Sequence, residues 1–240
     1  MANKYELTQN SIMVNNRTLY QIKALKDFNS VKAGNLGGYI ETEDNLSHDG
    51  TCWVSGNALV SGSARVSGNA WVFGHAQVSE DALVSESARV FGHAQVSGNA
   101  HVYGDAWVYG DAHVSGDAHV SGDTRVSGDT RVSGDAHVSG NARVFGNANI
   151  AGDTHVYGDA HVYGNAEVYG NARVYGHAHV SGSARVSGDA CLGYVSVDFD
   201  CDFDPYESFK KILDQKEILP VLLGINSGLD KMISERLKHD

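Results

Sequence analysis

The sequence predicts an all-β repeat protein: a triangular parallel β-helix of about eight 18-residue coils, with a β cap before it and a small α/β appendage after it. Three observations carry that reading. From Val54 to Val186 an aliphatic residue recurs every six positions, and all 23 of these slots hold Val except Ile150. Gly follows two residues later in 21 of the 23 slots, with Glu80 and Glu86 as exceptions; Ala follows four residues later in 20, with Thr124, Thr130 and Thr154 as exceptions. Outward residues of one type recur at 18: Trp53, Trp71 and Trp107 are all the tryptophans, and His101, His119, His137 and His155 follow one another at that spacing.

A helix has no use for the hexad. Six residues turn a helix by about 600°, which would scatter the valines around every face. A strand and a turn use it well. In Ala58-Leu59-Val60-Ser61, alternation points Ala58 and Val60 inward and Leu59 and Ser61 outward. Gly62-Ser63 then turns the chain, because Gly accepts positive φ. Three hexads per coil place one short strand on each side of a prism. Residues 50–193 hold eight such coils, a rod about 38 Å long at the parallel-strand spacing.

Residues 1–49 read as an N-terminal β cap. Ile12-Met13-Val14 and Thr18-Leu19-Tyr20-Gln21-Ile22 flank an Asn15-Asn16 turn, and Ile40 and Leu46 resemble a degenerate first hexad. Such a cap covers strand edges that the open coil would expose. Residues 194–240 read as a strand plus two helices. Val195 to Phe203 alternate apolar and acidic residues, Asp204-Pro205-Tyr206-Glu207 is a helix start, and Ser227 is an N-cap. This appendage is expected to cap the rod or serve oligomerisation.

Composition narrows the function classes. The 240-residue chain carries a net charge of −11, which makes nucleic acid an unfavoured partner. No apolar run reaches membrane-spanning length, and the first residues lack the apolar stretch of a signal peptide. Three cysteines form no disulfide framework, so a cytoplasmic location is expected.

The unit Val-x-Gly-Asn/Asp-Ala-x resembles the hexapeptide repeat of left-handed β-helix proteins. Left-handedness is what that resemblance implies. The superfamily includes acyl-CoA-dependent acyltransferases, γ-class carbonic anhydrases and non-catalytic members. The segment from Asp27 to Gly34, with Gly37-Gly38 and Asn45-Leu46-Ser47, is similar to the entry of the YdcK-like group of bacterial and phage proteins, which are labelled acetyltransferases from the repeat. The carbonic anhydrases place zinc ligands partly on a His-x4-His spacing, which this sequence lacks.

Two outward arrays are candidate sites. One face carries Trp53, Trp71, Phe73, Arg89, Phe91, Trp107, Tyr109, Arg125, Arg143, Phe145, His161, Tyr163 and His179. A stripe this aromatic reads as a subunit interface, or as a platform for stacking rings. A second face carries the histidine ladder His101, His119, His137 and His155, read as stacked neutral imidazoles without a metal. The turn aspartates Asp105, Asp111, Asp117, Asp123, Asp129 and Asp135 read as solvated turn formers, as do the aspartates at 198, 200, 202 and 204 for a strand face. The serines at 61, 79, 97, 115 and 133 read as small strand residues.

Acyltransferases of this superfamily need a base and a cleft, usually shaped by a loop that interrupts the coils. Here 23 hexads run without an insertion. The favoured function is therefore a non-catalytic, oligomeric binding or scaffold protein with a protein partner and no cofactor, borne by a phage or mobile element. A homo-oligomer is expected, and the resemblance favours a trimer. The alternative is an acetyl-CoA-dependent acetyltransferase with its site between subunits and His75, His93, His161 or His179 as base. A head-to-tail filament is a third reading, which the two non-repeat ends oppose.

Overall fold

The computed structural model describes residues 3–197 and the short strand Asp202–Phe203. The two helices expected after Asp204 lie outside the described residues. Strand β1 (Tyr5–Val14) turns at Asn15-Asn16, both at positive φ, and pairs antiparallel with β2 (Arg17–Ala24). Strand β3 (Leu36–Ile40) pairs antiparallel with β2 on one side and parallel with Leu59–Val60 on the other. The hairpin thus continues directly into the ladder.

From Trp53 onward each hexad contributes a two-residue strand, the outward residue followed by the inward Val. Strands 18 residues apart pair in parallel, for example Trp71 with Arg89 and His119 with His137. Among the described residues this makes three sheets of twelve, nine and eight strands. We call them the cap face (through Leu59, Gln77 and Gln95), the tryptophan face (through Trp53, Trp71 and Arg89) and the histidine face (through Arg65, Leu83 and His101).

The Val slots and the Ala slots are buried throughout. Thr124, Thr130 and Thr154 fit the Ala slot because each hydroxyl donates to a carbonyl three residues back, those of Ser121, Ser127 and Ala151. Every Gly of the turn slots lies at positive φ, and along the middle of the rod the next coil approaches closely: a Cβ on Gly116 would meet Gly134 N at 2.9 Å. Glu80 and Glu86 adopt the same left-handed conformation at φ 62° and 57°. Their carboxylates accept hydrogen bonds from Gly98 N and Gly104 N one coil on, at 2.6 and 2.9 Å, which offsets the strain.

The solenoid has about nine turns, one more than the hexads alone predict. Leu46 bridges Val66 in parallel, so the degenerate slots at Ile40 and Leu46 form a first coil. At the other end, Ser196–Val197 pairs with His179–Val180, and Asp202–Phe203 pairs with Arg185–Val186. Residues 195–203 are therefore not one alternating strand. They supply strands to two different faces, as consecutive strands do along the whole solenoid, and the corner at Gly193-Tyr194 is one residue shorter than those between the preceding strands.

Candidate functional site

The residues expected on one stripe form two adjacent columns. The strand positions stack Trp71, Arg89, Trp107, Arg125, Arg143, His161 and His179 in register along the tryptophan face. The residue after each Val stands at the corner and forms the second column. There Phe73, Phe91 and Tyr109 stack with ring centres 4.7 and 4.9 Å apart and planes within 3°. Phe145 and Tyr163 continue it at 5.0 Å and 3°. Ser127 stands between the two runs. The guanidinium carbons of Arg89 and Arg125 lie 5.0 and 5.4 Å from the Trp107 ring centre, one coil below and one above it.

Trp53 departs from the expectation. It keeps the 18-residue phase but is only 2% exposed. Phe28 and Tyr5 meet its ring edge-on at 5.3 and 6.4 Å. The cap loop covers the first coil of this face, so Trp53 belongs to the core rather than to the presented surface. Of the rest of the stripe, the arginines 89, 125 and 143 are exposed and the aromatic rings are half-buried apart from Phe145, which is 37% exposed.

On the histidine face His101, His119, His137 and His155 stack at 4.8, 4.8 and 4.9 Å. Desolvation, then the charges of His119 and His155, hold the His137 imidazole below its ordinary value. Asp135 sits two residues before His137 and stacks between Asp117 and Asp153, whose hydrogen bonding and charge raise its carboxyl. His155 Nδ1 lies 3.0 Å from Asp153 O. No group of three or more His, Cys, Asp or Glu side chains among the described residues converges on a metal-sized point. The six turn aspartates divide among the three corners, two to each.

The acid–base candidates fall in two pairs. His75 and His93 stack at 4.9 Å on an exposed corner. His161 and His179 stand 4.8 Å apart on the tryptophan face, and desolvation, His179 and Arg143 together lower the His161 pKa. Two concavities lie beside the cap, away from both pairs: one is lined by Arg17, Leu59, Gln77 and Glu80, the other by Glu43, His48, Arg65 and Leu83.

The cap holds polar chemistry that pattern reading does not reach. Lys4 is fully buried, and its Nζ donates to Cys52 O at 2.9 Å and to Cys52 Sγ at 3.1 Å. Burial pushes the Cys52 thiol up, with Lys4 opposing. The Tyr5 hydroxyl donates to Leu46 O and Glu43 O, and burial raises its pKa. Glu41 accepts from Gly62 N and pairs with Arg17, and these bonds lower its carboxyl.

A model described as the YdcK β-solenoid repeat matches residues 54–68 and 94–110. The chain carries the YdcK-like repeat. A curated relative, named as the uncharacterized acetyltransferase YdcK of Escherichia coli (strain K12), is 49% identical over 39 residues. That match covers 16% of this chain and 12% of the relative. A second model, for bactofilins described as polymer-forming cytoskeletal proteins, matches residues 106–205. The YdcK-like, left-handed β-helix type agrees with the three-sheet solenoid above. No helix among the described residues is long and apolar enough to cross a membrane.

Proposed function

We propose that this YdcK-like solenoid is a non-catalytic binding or scaffold protein whose copies associate side by side through the tryptophan face. One observation carries the reading: a rigid, two-column surface of aromatic and arginine side chains runs along one side of an uninterrupted rod. Aromatic residues and Arg are the types enriched at interface centres, where they bury much area for little lost rotamer freedom. The likeness of residues 106–205 to a family described as polymer-forming supports self-association. The covered N-terminal end favours lateral contact over stacking through that end. A closed trimer is the assembly that the superfamily resemblance favours.

The test is Phe145→Asp compared with wild type by sedimentation velocity. Phe145 is exposed, so the change spares the core and places an unpaired charge in the contact. The assembly is expected to dissociate; an unchanged sedimentation coefficient contradicts the proposed face.

The second reading is an acetyl-CoA-dependent acetyltransferase. The relative's name favours it, and the lowered pKa of His161 keeps that imidazole neutral as a base requires. Saturating acetyl-CoA is then expected to raise the melting temperature by several degrees, and His161→Gln to abolish acetyl transfer. No shift with acetyl-CoA removes this reading.

A further inference from the structure

The corner column of the tryptophan face lacks one rung. Phe73, Phe91 and Tyr109 stack below the break, Phe145 and Tyr163 above it, and the position between them is Ser127. Tyr109 and Phe145 are two coil steps apart, about 9.6 Å. A ring placed midway lies about 4.8 Å from each, within the range where offset-stacked rings attract. That matches the 4.7 to 5.0 Å spacing the column already uses.

The gap is held open. Tyr109 stays within 2° of the plane of Phe91, and Phe145 within 3° of Tyr163, so neither ring leans in to close it. Phe145 is 37% exposed, and its stacked neighbour Tyr163 lies on the side away from the gap. The floor is a serine hydroxyl followed by Gly128 at φ 75°.

Charge around the gap is asymmetric. On the strand side, Arg125 stands level with Ser127 and Arg143 one coil on, both exposed. On the turn side, Asp129 is exposed two residues after Ser127. A guest's anionic group is therefore drawn to the arginines and repelled from the turn.

We infer that the gap over Ser127 is a binding slot for a planar aromatic ring bearing an anionic group, stacked between Tyr109 and Phe145 and anchored by Arg125 and Arg143. Nucleoside monophosphates and aromatic carboxylates share this chemistry. Guanidinium forks suit both phosphate and carboxylate. The slot lies on the face proposed above as the contact between copies, so a guest and a neighbouring chain compete for it; the titration below is therefore run on wild type and on Trp71→Asp, which places an unpaired charge in the contact three coils away from the slot.

Isothermal titration of the full chain with AMP and with 4-hydroxyphenylacetate tests it and tells the two sources apart. Adenosine and orthophosphate serve as controls for the ring and the anion alone. At least one of the two anionic rings is expected to bind at least fivefold more tightly than either control. Ser127→Tyr supplies the missing rung from the chain itself. The column already carries Tyr at 109 and 163, so the fold accommodates it. This variant is expected to lose binding by at least tenfold. Arg143→Gln is expected to weaken AMP or 4-hydroxyphenylacetate several-fold while leaving adenosine unchanged. The inference is overturned if neither anionic ring binds, or if Ser127→Tyr binds as wild type does.

Discussion

In the capped end, between Lys4 and Cys52, the interior holds an ammonium, a carboxamide and a phenol; from Ala58 onward it holds little but Val, Ala and three Thr. The two regions meet the same need, covering backbone edges and filling the prism, by different means. Along the coils each new turn repeats the previous contacts, so stability accumulates through nearest neighbours. At the first turn no preceding coil exists. Side chains therefore take over the role of missing backbone: Asn45 Nδ2 donates to Gly62 O and Ala64 O, while its Oδ1 accepts from Glu41 N and Thr42 N. One carboxamide does the work of several ladder bonds. The lesson is that the repeat is tolerant and its terminus is exacting.

The sharpest way to break this contrast is Asn45→Ala. Thr42 N, Gly62 O and Ala64 O would lose the Asn45 partner, while Glu41 N keeps Val60 O, and the Asn45 side chain itself is fully buried. A loss of about 3 kcal/mol is expected in urea unfolding, at the top of the range expected for a single coil position. A neutral result would mean that the cap does not seal the rod.

Next come two inward positions of one coil. Ala118→Leu overpacks a corner, and Val120→Ala opens a void where Val120 stacks against Val102 and Val138. Each is expected to cost about 1–3 kcal/mol in thermal unfolding. If Val120→Ala costs as much as Asn45→Ala, the contrast between tolerant coils and exacting cap fails.

The smallest effect is in pH. The His137 pKa lies below its ordinary 6.5 in the fold because of desolvation and its imidazole neighbours. The unfolded chain then binds more protons in the window between the folded value and 6.5. Stability is therefore fully present above that window and fades as pH falls through it. Replacing His119 and His137 by Gln is expected to flatten this part of the stability profile. An unchanged profile in the double variant would show that the ladder carries no such linkage.

The coils were legible in the sequence because every slot recurs: a residue's phase modulo six names its direction, and its phase modulo 18 names its face. The stack at His119 and His137 and the column at Phe73 and Phe91 follow from that arithmetic alone. Trp53 shows where it stops. Phase gives the outward direction but not what lies above, and Phe28 and Tyr5 arrive from a region with no period. The contacts of Lys4 with Cys52 join residues 48 apart and leave no local pattern. The last turns were misread for a related reason: one residue lost at Gly193-Tyr194 shifts the phase, so residues from two faces resemble one alternating strand. The break at Ser127 was visible as a serine in an aromatic column, yet its meaning required the ring geometry: Tyr109 stays parallel to Phe91 on one side and Phe145 to Tyr163 on the other.

The central claim is that the tryptophan face is a contact surface between copies of this chain. Multi-angle light scattering of the wild-type protein across micromolar concentrations tests it most directly. The account predicts a mass that is a multiple of 25.6 kDa, three copies for a closed trimer. A mass that stays at that of one chain over the whole range would contradict it.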